Sequence, residues 1–263
     1  MNNLKIINGF LSQPDALPVH AFEKLYVALR FQEGRIYSEQ EIAELPVITA
    51  SHPHYKEWLL RKNSCHKLKR YIKQHPKICN ILEIGCGNGW LAAQLASVTK
   101  GSVTGVDINA LELEQAWRVF NKISNLNFIE GDIRDGILGD NKYDLIVFAA
   151  SMQYFKSLRE ILNIAAKHLT LQGEIHMIDT HLYKSCEIPL ARLRSKNYFT
   201  EKGFPEMTDY YFHHDIKDLE YFSFSVLHDP HSRINKLLFN KNPFHWIVIK
   251  NSFINARNNI THL

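Results

Sequence analysis

Cysteine is scarce and unpatterned: four in 263 residues, Cys65, Cys79, Cys86 and Cys186, with no C-x-x-C pair and no metal-finger spacing. A disulfide scaffold and a zinc framework are thereby excluded, and a reduced, cytoplasmic protein is the expectation. With 12 glycines and 9 prolines the chain is neither collagen-like nor low-complexity. No apolar run approaches the ~20 residues of a membrane helix. The longest is Leu145 to Ala150. The N-terminus lacks the basic-then-apolar pattern of a secretory leader, so no membrane partner is expected. Excess charge is also small, at +4, but it is unevenly placed. Between Lys56 and Lys77 eight basic residues face one acid, Glu57, which leaves the rest of the chain net acidic. Hydrophobic residues make up 45 % of the chain, enough for a substantial core, so disorder is excluded.

The chain has three textures. From Met1 to about Pro76 it reads as helices. Phe22, Leu25, Tyr26 and Leu29 share a face at helical spacing, and Ser38 with Glu41 forms a capping box before a short helix stopped by Pro46. From about His54 a longer helix carries Trp58, Cys65, Leu68 and Ile72 as its apolar stripe, with the basic residues on the other faces. From Cys79 to about Leu182 short apolar runs alternate with helical patterns, the mark of a parallel sheet wound on both faces. Strands are expected at Asn80–Ile84, Ser102–Val106, Leu126–Ile129, Tyr143–Ala149 and Glu174–Ile178. One intervening helix is capped by Asn109. Another opens at Ser157-Leu158-Arg159-Glu160, runs its apolar face out to Leu169 and stops at Gly173. Last come two strands, Tyr221–Leu227 and His245–Lys250, with no room for a helix between them, so they are expected to pair antiparallel. The expected fold is α/β: a doubly wound, Rossmann-like, seven-stranded sheet with an antiparallel last strand and an N-terminal helical extension. The expected division is a helical cap or lid over 1–76 and an α/β domain over 77–263, with a substrate-side insertion at about 183–220.

The stretch that carries chemistry is Glu83-Ile84-Gly85-Cys86-Gly87-Asn88-Gly89, a strand running into G-x-G-x-G and then a helix. Glycines serve where the backbone turns with positive φ and where a ligand presses on the main chain. In open α/β sheets that crevice lies beyond the carboxyl ends of the strands. The spacing differs from the G-x-G-x-x-G of dinucleotide sites, and the preceding Glu83 suits a cationic ligand better than a diphosphate. Two more acids end the next strands. Asp107, before Ile108, stands where a carboxylate accepts both hydroxyls of a ribose, and Asp132, before Ile133, where one accepts an adenine amino proton.

This combination resembles the class I S-adenosylmethionine-dependent methyltransferases, over roughly Cys79 to Leu182. The resemblance implies S-adenosylmethionine as cofactor and a methyltransferase activity. By it, Glu83, Gly85, Gly87 and Gly89, with Cys86 and Asn88 between them, hold the methionine part. Asp107 and Ile108 match the ribose site, Asp132 and Ile133 the pair around the adenine, and Ala149 with Ser151 the segment lining the methyl-donor pocket. Ala149-Ala150-Ser151-Met152-Gln153-Tyr154 lacks the Asp/Asn-Pro-Pro-aromatic motif of relatives that methylate nucleobase amines or the glutamine amide, and also the acid of metal-dependent catechol-type relatives. The string from Glu33 to Trp58 resembles bacterial methyltransferase-domain proteins.

The expected acceptor is a small molecule, methylated on oxygen or nitrogen. His181, just beyond the fifth strand, is the expected catalytic residue. Tyr37, His54, Tyr55, Tyr154, Tyr211 and His214 are expected to line the acceptor pocket, with His52, Tyr183, Tyr210 and His213 nearby in sequence. His52-x-His54 and His213-His214 lack an accompanying acid or cysteine framework, so no metal is expected. The alternatives are a non-catalytic module that binds the cofactor and an RNA methyltransferase using the basic helix 56–77. In that helix the aromatic Trp58 lies on the apolar stripe and not among the lysines, which disfavours nucleic acid. An aminopropyl transferase is disfavoured because the paired acids expected near the fourth strand for a polyamine are missing.

Overall fold

The structure, a computed structural model, describes residues 5–7, 10–12, 21–232 and 242–251. Five parallel strands form the centre of the sheet: β3 (Ile81–Ile84), β4 (Val103–Asp107), β5 (Leu126–Glu130), β6 (Tyr143–Ala149) and β7 (Leu169–Thr180). A hairpin, β1 (Lys5–Ile7) and β2 (Phe10–Ser12), extends one edge. At the other, β11 (His245–Lys250) runs antiparallel to β7 and β10 (Phe224–His228) antiparallel to β11. The order is β1-β2-β5-β4-β3-β6-β7-β11-β10. The expected seven strands are all present. The reading of the first 76 residues as helical is corrected by the hairpin: strands of three residues are too short to show alternation.

Alternate residues along each strand feed two cores. Leu82, Ile84, Ile146, Phe148 and Met177 pack with α6 (Leu158–Ala166) on one face. Ile81, Val103, Leu145 and Val147 pack on the other face with α3 (Tyr55–Gln74), α4 (Trp90–Ala96) and α5 (Ala110–Phe120). Glu83 follows Ile81 onto this second face. That parity puts a carboxylate in the core under α3 and α4.

The helix at 158 is shorter than its apolar pattern implies. It ends at Ala166, so Leu169 opens β7 and Gly173 lies inside that strand, where it was expected as a helix stop. A Cβ at Gly173 would sit 2.9 Å from the Tyr143 carbonyl oxygen. The glycine is there for close backbone approach beside the register shift between Tyr143 and Leu145.

Two helices roof the carboxyl ends of the strands. Through Leu29, α1 (Ala21–Gln32) joins Phe199 of α7 (Ile188–Glu201) and Met207 in a third small core. Between α1 and α3, α2 (Glu39–Glu44) starts at the expected capping box, with Ser38 N donating to Glu41 Oε2 at 2.8 Å. A two-stranded parallel pair, β8 (Leu182–Tyr183) and β9 (His214–Asp215), ties the insertion back to the end of β7.

Candidate active site

The sheet order reverses at β3, between β4 and β6, and the glycine loop leaves β3 at that switch point. Gly85, Gly87 and Gly89 all have positive φ. At Gly85 a Cβ would stand 2.5 Å from Ser151 Cβ, so only glycine lets the segment after β6 close on the loop. Ser151 Oγ then donates to the Ile84 carbonyl at 2.7 Å, and Asp107 clamps the loop from the other side. Its Oδ2 accepts from Gly87 N at 2.7 Å and its Oδ1 from Asn109 N at 2.9 Å.

Glu83 is 2 % exposed. It takes the Ala92 N–H, one of the donors that helix α4 leaves unpaired in its first turn, but its Oε2 has no partner. Burial, reinforced by Asp107, raises its pKa well above the usual carboxylate range. Burial likewise raises Asp107, and burial together with Asp107 pushes Glu112 up to about 7. Three acids, Glu83 buried and Asp107 and Glu112 half-buried, thus share a space that favours a positive charge.

Three cavities meet above this cluster. The largest, about 450 Å3, is lined by Gly85, Gly87, Asp107, Ile108, Asp132 and Ile133, together with Tyr26, Glu112 and Tyr210. A smaller one, about 120 Å3, is lined by Glu83, Cys86, Asn88, Tyr37, Trp58 and Ala149. The third, about 400 Å3, is lined by Asp179, His181, Tyr183, Arg194 and Tyr211. Ala150 lines all three, in the left-handed region at φ 53°. Tyr154 lies between the first and third, its hydroxyl accepting from Arg30 Nη2 at 2.7 Å.

Several expected residues sit elsewhere. His54 Nε2 donates to the Glu33 carbonyl at 2.8 Å, and His52 Nδ1 accepts from His54 N, so both fasten the chain between α1 and α3. Tyr55 begins α3 and lines none of these cavities. His214 is buried with Nε2 donating to the Met152 carbonyl at 2.9 Å, a tie between β9 and the segment after β6. His213 shares a hydrogen bond with Ser195 Oγ. Tyr37 lines the small cavity, its hydroxyl accepting from Trp58 Nε1. Asp132 is already paired with the Arg134 guanidinium and accepts Arg134 N at 2.9 Å. Among the described residues no group of three metal-ligating side chains converges, and no helix is long and apolar enough to cross a membrane.

Asp179 escaped the sequence reading. It closes β7 as Glu83, Asp107 and Asp132 stand at the ends of earlier strands, at φ 55°, and accepts from Ser64 Oγ at 2.5 Å. Burial pushes its pKa up to about 6. Because Ala149 pairs with Ile178 and Ala150 N donates to the Ile178 carbonyl, Asp179 stands beside Ala150, where the cavities join.

A family profile described as "Methyltransferase domain" matches residues 75–220. The chain is 35 % identical over 128 residues to a release factor glutamine methyltransferase of Fusobacterium nucleatum, over 46 % of this chain and 34 % of that one. It is 27 % identical over 118 residues to a malonyl-[acyl-carrier protein] O-methyltransferase of Bacillus cereus, over 43 % of each. The chain spans less than half the length of these curated relatives. Among solved structures, the magnesium protoporphyrin IX methyltransferase of Synechocystis PCC 6803, with bound SAH, superposes with a TM-score of 0.55 at 13 % identity, over 86 % of this chain and 99 % of that one. With more than half of its length matched by that profile, and with a glycine loop and strand-end acids at the switch point of this sheet, the chain belongs to the methyltransferase-domain family and has the class I S-adenosylmethionine-dependent fold.

Proposed function

We propose that this protein transfers a methyl group from S-adenosylmethionine to an oxygen or nitrogen of a small-molecule acceptor. The observation that carries this is Glu83: a buried carboxyl with one oxygen unpartnered, at the foot of a glycine loop, facing a cavity that opens through Ala150 into a second, separately lined one. When bound, S-adenosylmethionine supplies a methyl group on a sulfonium, which passes in line to a nucleophile. Glu83 would hold the ammonium of the methionine part, Asp107 and Glu112 the ribose hydroxyls, and Ile108 and Ile133 the adenine. Arg30, Arg35 and Arg61, which line both the small cavity and the 400 Å3 cavity, are placed for the methionine carboxylate.

The 400 Å3 cavity has the size of a small-molecule site, and it holds two proton acceptors, Asp179 and His181. Burial and Arg194 lower the His181 pKa, so its imidazole is neutral at pH 7. Asp179 is the better placed of the two, being the neighbour of Ala150, and its pKa near 6 leaves it ionised at neutral pH and able to take an acceptor proton. Helix α1 and the insertion around α7 close over both cavities, the role proposed for residues 1–76 as a lid.

Calorimetric titration with S-adenosylmethionine and S-adenosylhomocysteine tests the cofactor site. Micromolar binding abolished in Asp107→Ala is expected. Binding of neither by a folded wild type would overturn the reading.

A further inference from the structure

The acceptor-side cavity carries four arginines, Arg30, Arg35, Arg61 and Arg194, and their partners are unequal. Arg30 pairs with Glu33, Arg35 with Glu33 and Glu57, and Arg61 with Glu57. These three also line the methionine-side cavity, where the donor brings one carboxylate of its own. Two glutamates and that carboxylate together balance the three guanidiniums, and the buried Nε of Arg35 lies 3.1 Å from Glu33 Oε2 without making a hydrogen bond to it. Arg194 differs from them. It lines the acceptor cavity alone, at its exposed rim, and among the described residues it forms no ion pair. Its guanidinium donates a hydrogen bond to the Tyr183 hydroxyl, and its charge lowers the pKa of both Tyr183 and His181, though burial of the phenol leaves Tyr183 raised on balance.

Much of the remaining wall is aromatic, with Tyr154, Tyr183, Tyr198, Phe199, Tyr211 and Phe244 among its residues. Tyr211 meets Tyr154 edge-on at 5.9 Å and Phe199 at 5.5 Å, and His181 meets Phe244 at 4.9 Å. Such edges and faces favour a flat ring packed against them. A planar guanidinium at one rim is matched by the flat, two-oxygen geometry of a carboxylate.

We propose that the acceptor is an aromatic acid, its ring held by the tyrosine and phenylalanine walls and its carboxylate by Arg194. This rests on the methyltransferase reading for the identity of the cavity as the acceptor site. Since Arg194 lines only this cavity while Ala150 marks the junction with the donor side, the carboxylate is a handle, and the methylated atom is a hydroxyl or amine elsewhere on the ring, facing Asp179. The proton released as the new oxygen–methyl or nitrogen–methyl bond forms goes to the Asp179 carboxylate, and the sulfonium leaves as a neutral thioether.

The test is calorimetric titration of the full chain, saturated with S-adenosylhomocysteine, with 4-hydroxybenzoate and benzoate, and with 4-hydroxybenzamide and benzamide as their neutral counterparts. The acids are expected to bind at least tenfold tighter than the amides, the preference shrinking with added salt and falling to about parity in Arg194→Gln. Arg194→Lys should restore part of it. Arg194 is exposed and its hydrogen bond is to the half-buried Tyr183 hydroxyl, so the variant's melting temperature should stay within a few degrees of wild type. Equal binding of acid and amide, no binding of either, or an undiminished preference in Arg194→Gln overturns the proposal. If S-adenosylhomocysteine itself fails to bind, the methyltransferase reading falls. The acid-against-amide comparison on the unloaded wild type and Arg194→Gln then still decides whether the cavity takes an aromatic acid.

Discussion

Gly85 combines two constraints that no side chain satisfies together: a φ of 76° and a neighbour, Ser151 Cβ, 2.5 Å from where its own Cβ would stand. Gly85→Ala must therefore push Ser151 off the Ile84 carbonyl or reshape the loop, at a cost of about 1–3 kcal/mol. Binding of S-adenosylhomocysteine, measured by calorimetry, is expected to weaken at least tenfold, and an unchanged Kd would show that the loop does not cradle the cofactor. Asp179 permits a stability test with a defined sign. Its folded pKa of about 6 lies above the 3.8 of an unfolded aspartate, so the native state binds the proton more tightly. Its contribution is fully present below pH 3.8 and is lost as pH rises from there through 6, amounting to about 3 kcal/mol by pH 8. Asp179→Asn keeps the acceptor for Ser64 and removes that penalty. In urea unfolding the variant should gain on wild type between pH 5 and pH 8, and parallel curves would mean that Asp179 is not ionising in the folded protein.

At the scale of elements, the join between α1 and α3 is held by charge as well as by packing. Glu57, on α3, is opposed by its own burial, yet the Arg35 and Arg61 guanidiniums outweigh that and hold its pKa at about 2. Its stabilisation is present above the unfolded value of 4.5 and lost only as pH falls through about 2. Glu57→Gln leaves two guanidiniums facing each other beside the cavities. With both partners partly solvent-exposed, the expected cost is about 1–2 kcal/mol, a few degrees in Tm by calorimetric scanning. How far such elements can be read from sequence depends on where their signal resides. The parallel strands are short runs buried on both faces and the caps at Ser38, Asn109 and Ser157 are local, so both are legible. The end of α6 is not, because Leu169 continues the helical spacing while its backbone has already paired with Tyr143. Neither are β1 and β2, whose three residues hold too little alternation to stand out from chance. In the site, the glycines and strand-end acids follow from topology and spacing. The seats of His54 and His214 follow from tertiary hydrogen bonds to distant carbonyls, which no local pattern encodes. Asp179 was reachable by the rule that selected Asp107, an acid at the end of a parallel strand.

The molecule as a whole is basic by four charges, but its strand ends gather acids and its outer helix gathers lysines, so the net figure hides a separation. The basic face of α3 points away from the sheet, while the buried Glu83 and the half-buried Asp107 and Glu112 lie together beneath the roof of α1. Holding three carboxyls in one desolvated space raises all of them, Glu112 to about 7. Their ionisation is then coupled to whatever cation arrives. S-adenosylmethionine and S-adenosylhomocysteine share every contact group except the sulfonium, so the ratio of their affinities isolates the response to that one charge. As pH rises through 7 and Glu112 ionises, S-adenosylmethionine should gain on S-adenosylhomocysteine. A carboxylate at an effective dielectric near 20 and a separation of several ångströms contributes about 1–2 kcal/mol, or about tenfold. Glu112→Gln should flatten the dependence without abolishing binding, since the loop, Glu83 and Asp107 remain. A ratio that stays constant from pH 6 to pH 8 in the wild type would mean that the acid cluster does not sense the sulfonium, and that the upward pressure on its pKa values serves only to seat the glycine loop on Asp107.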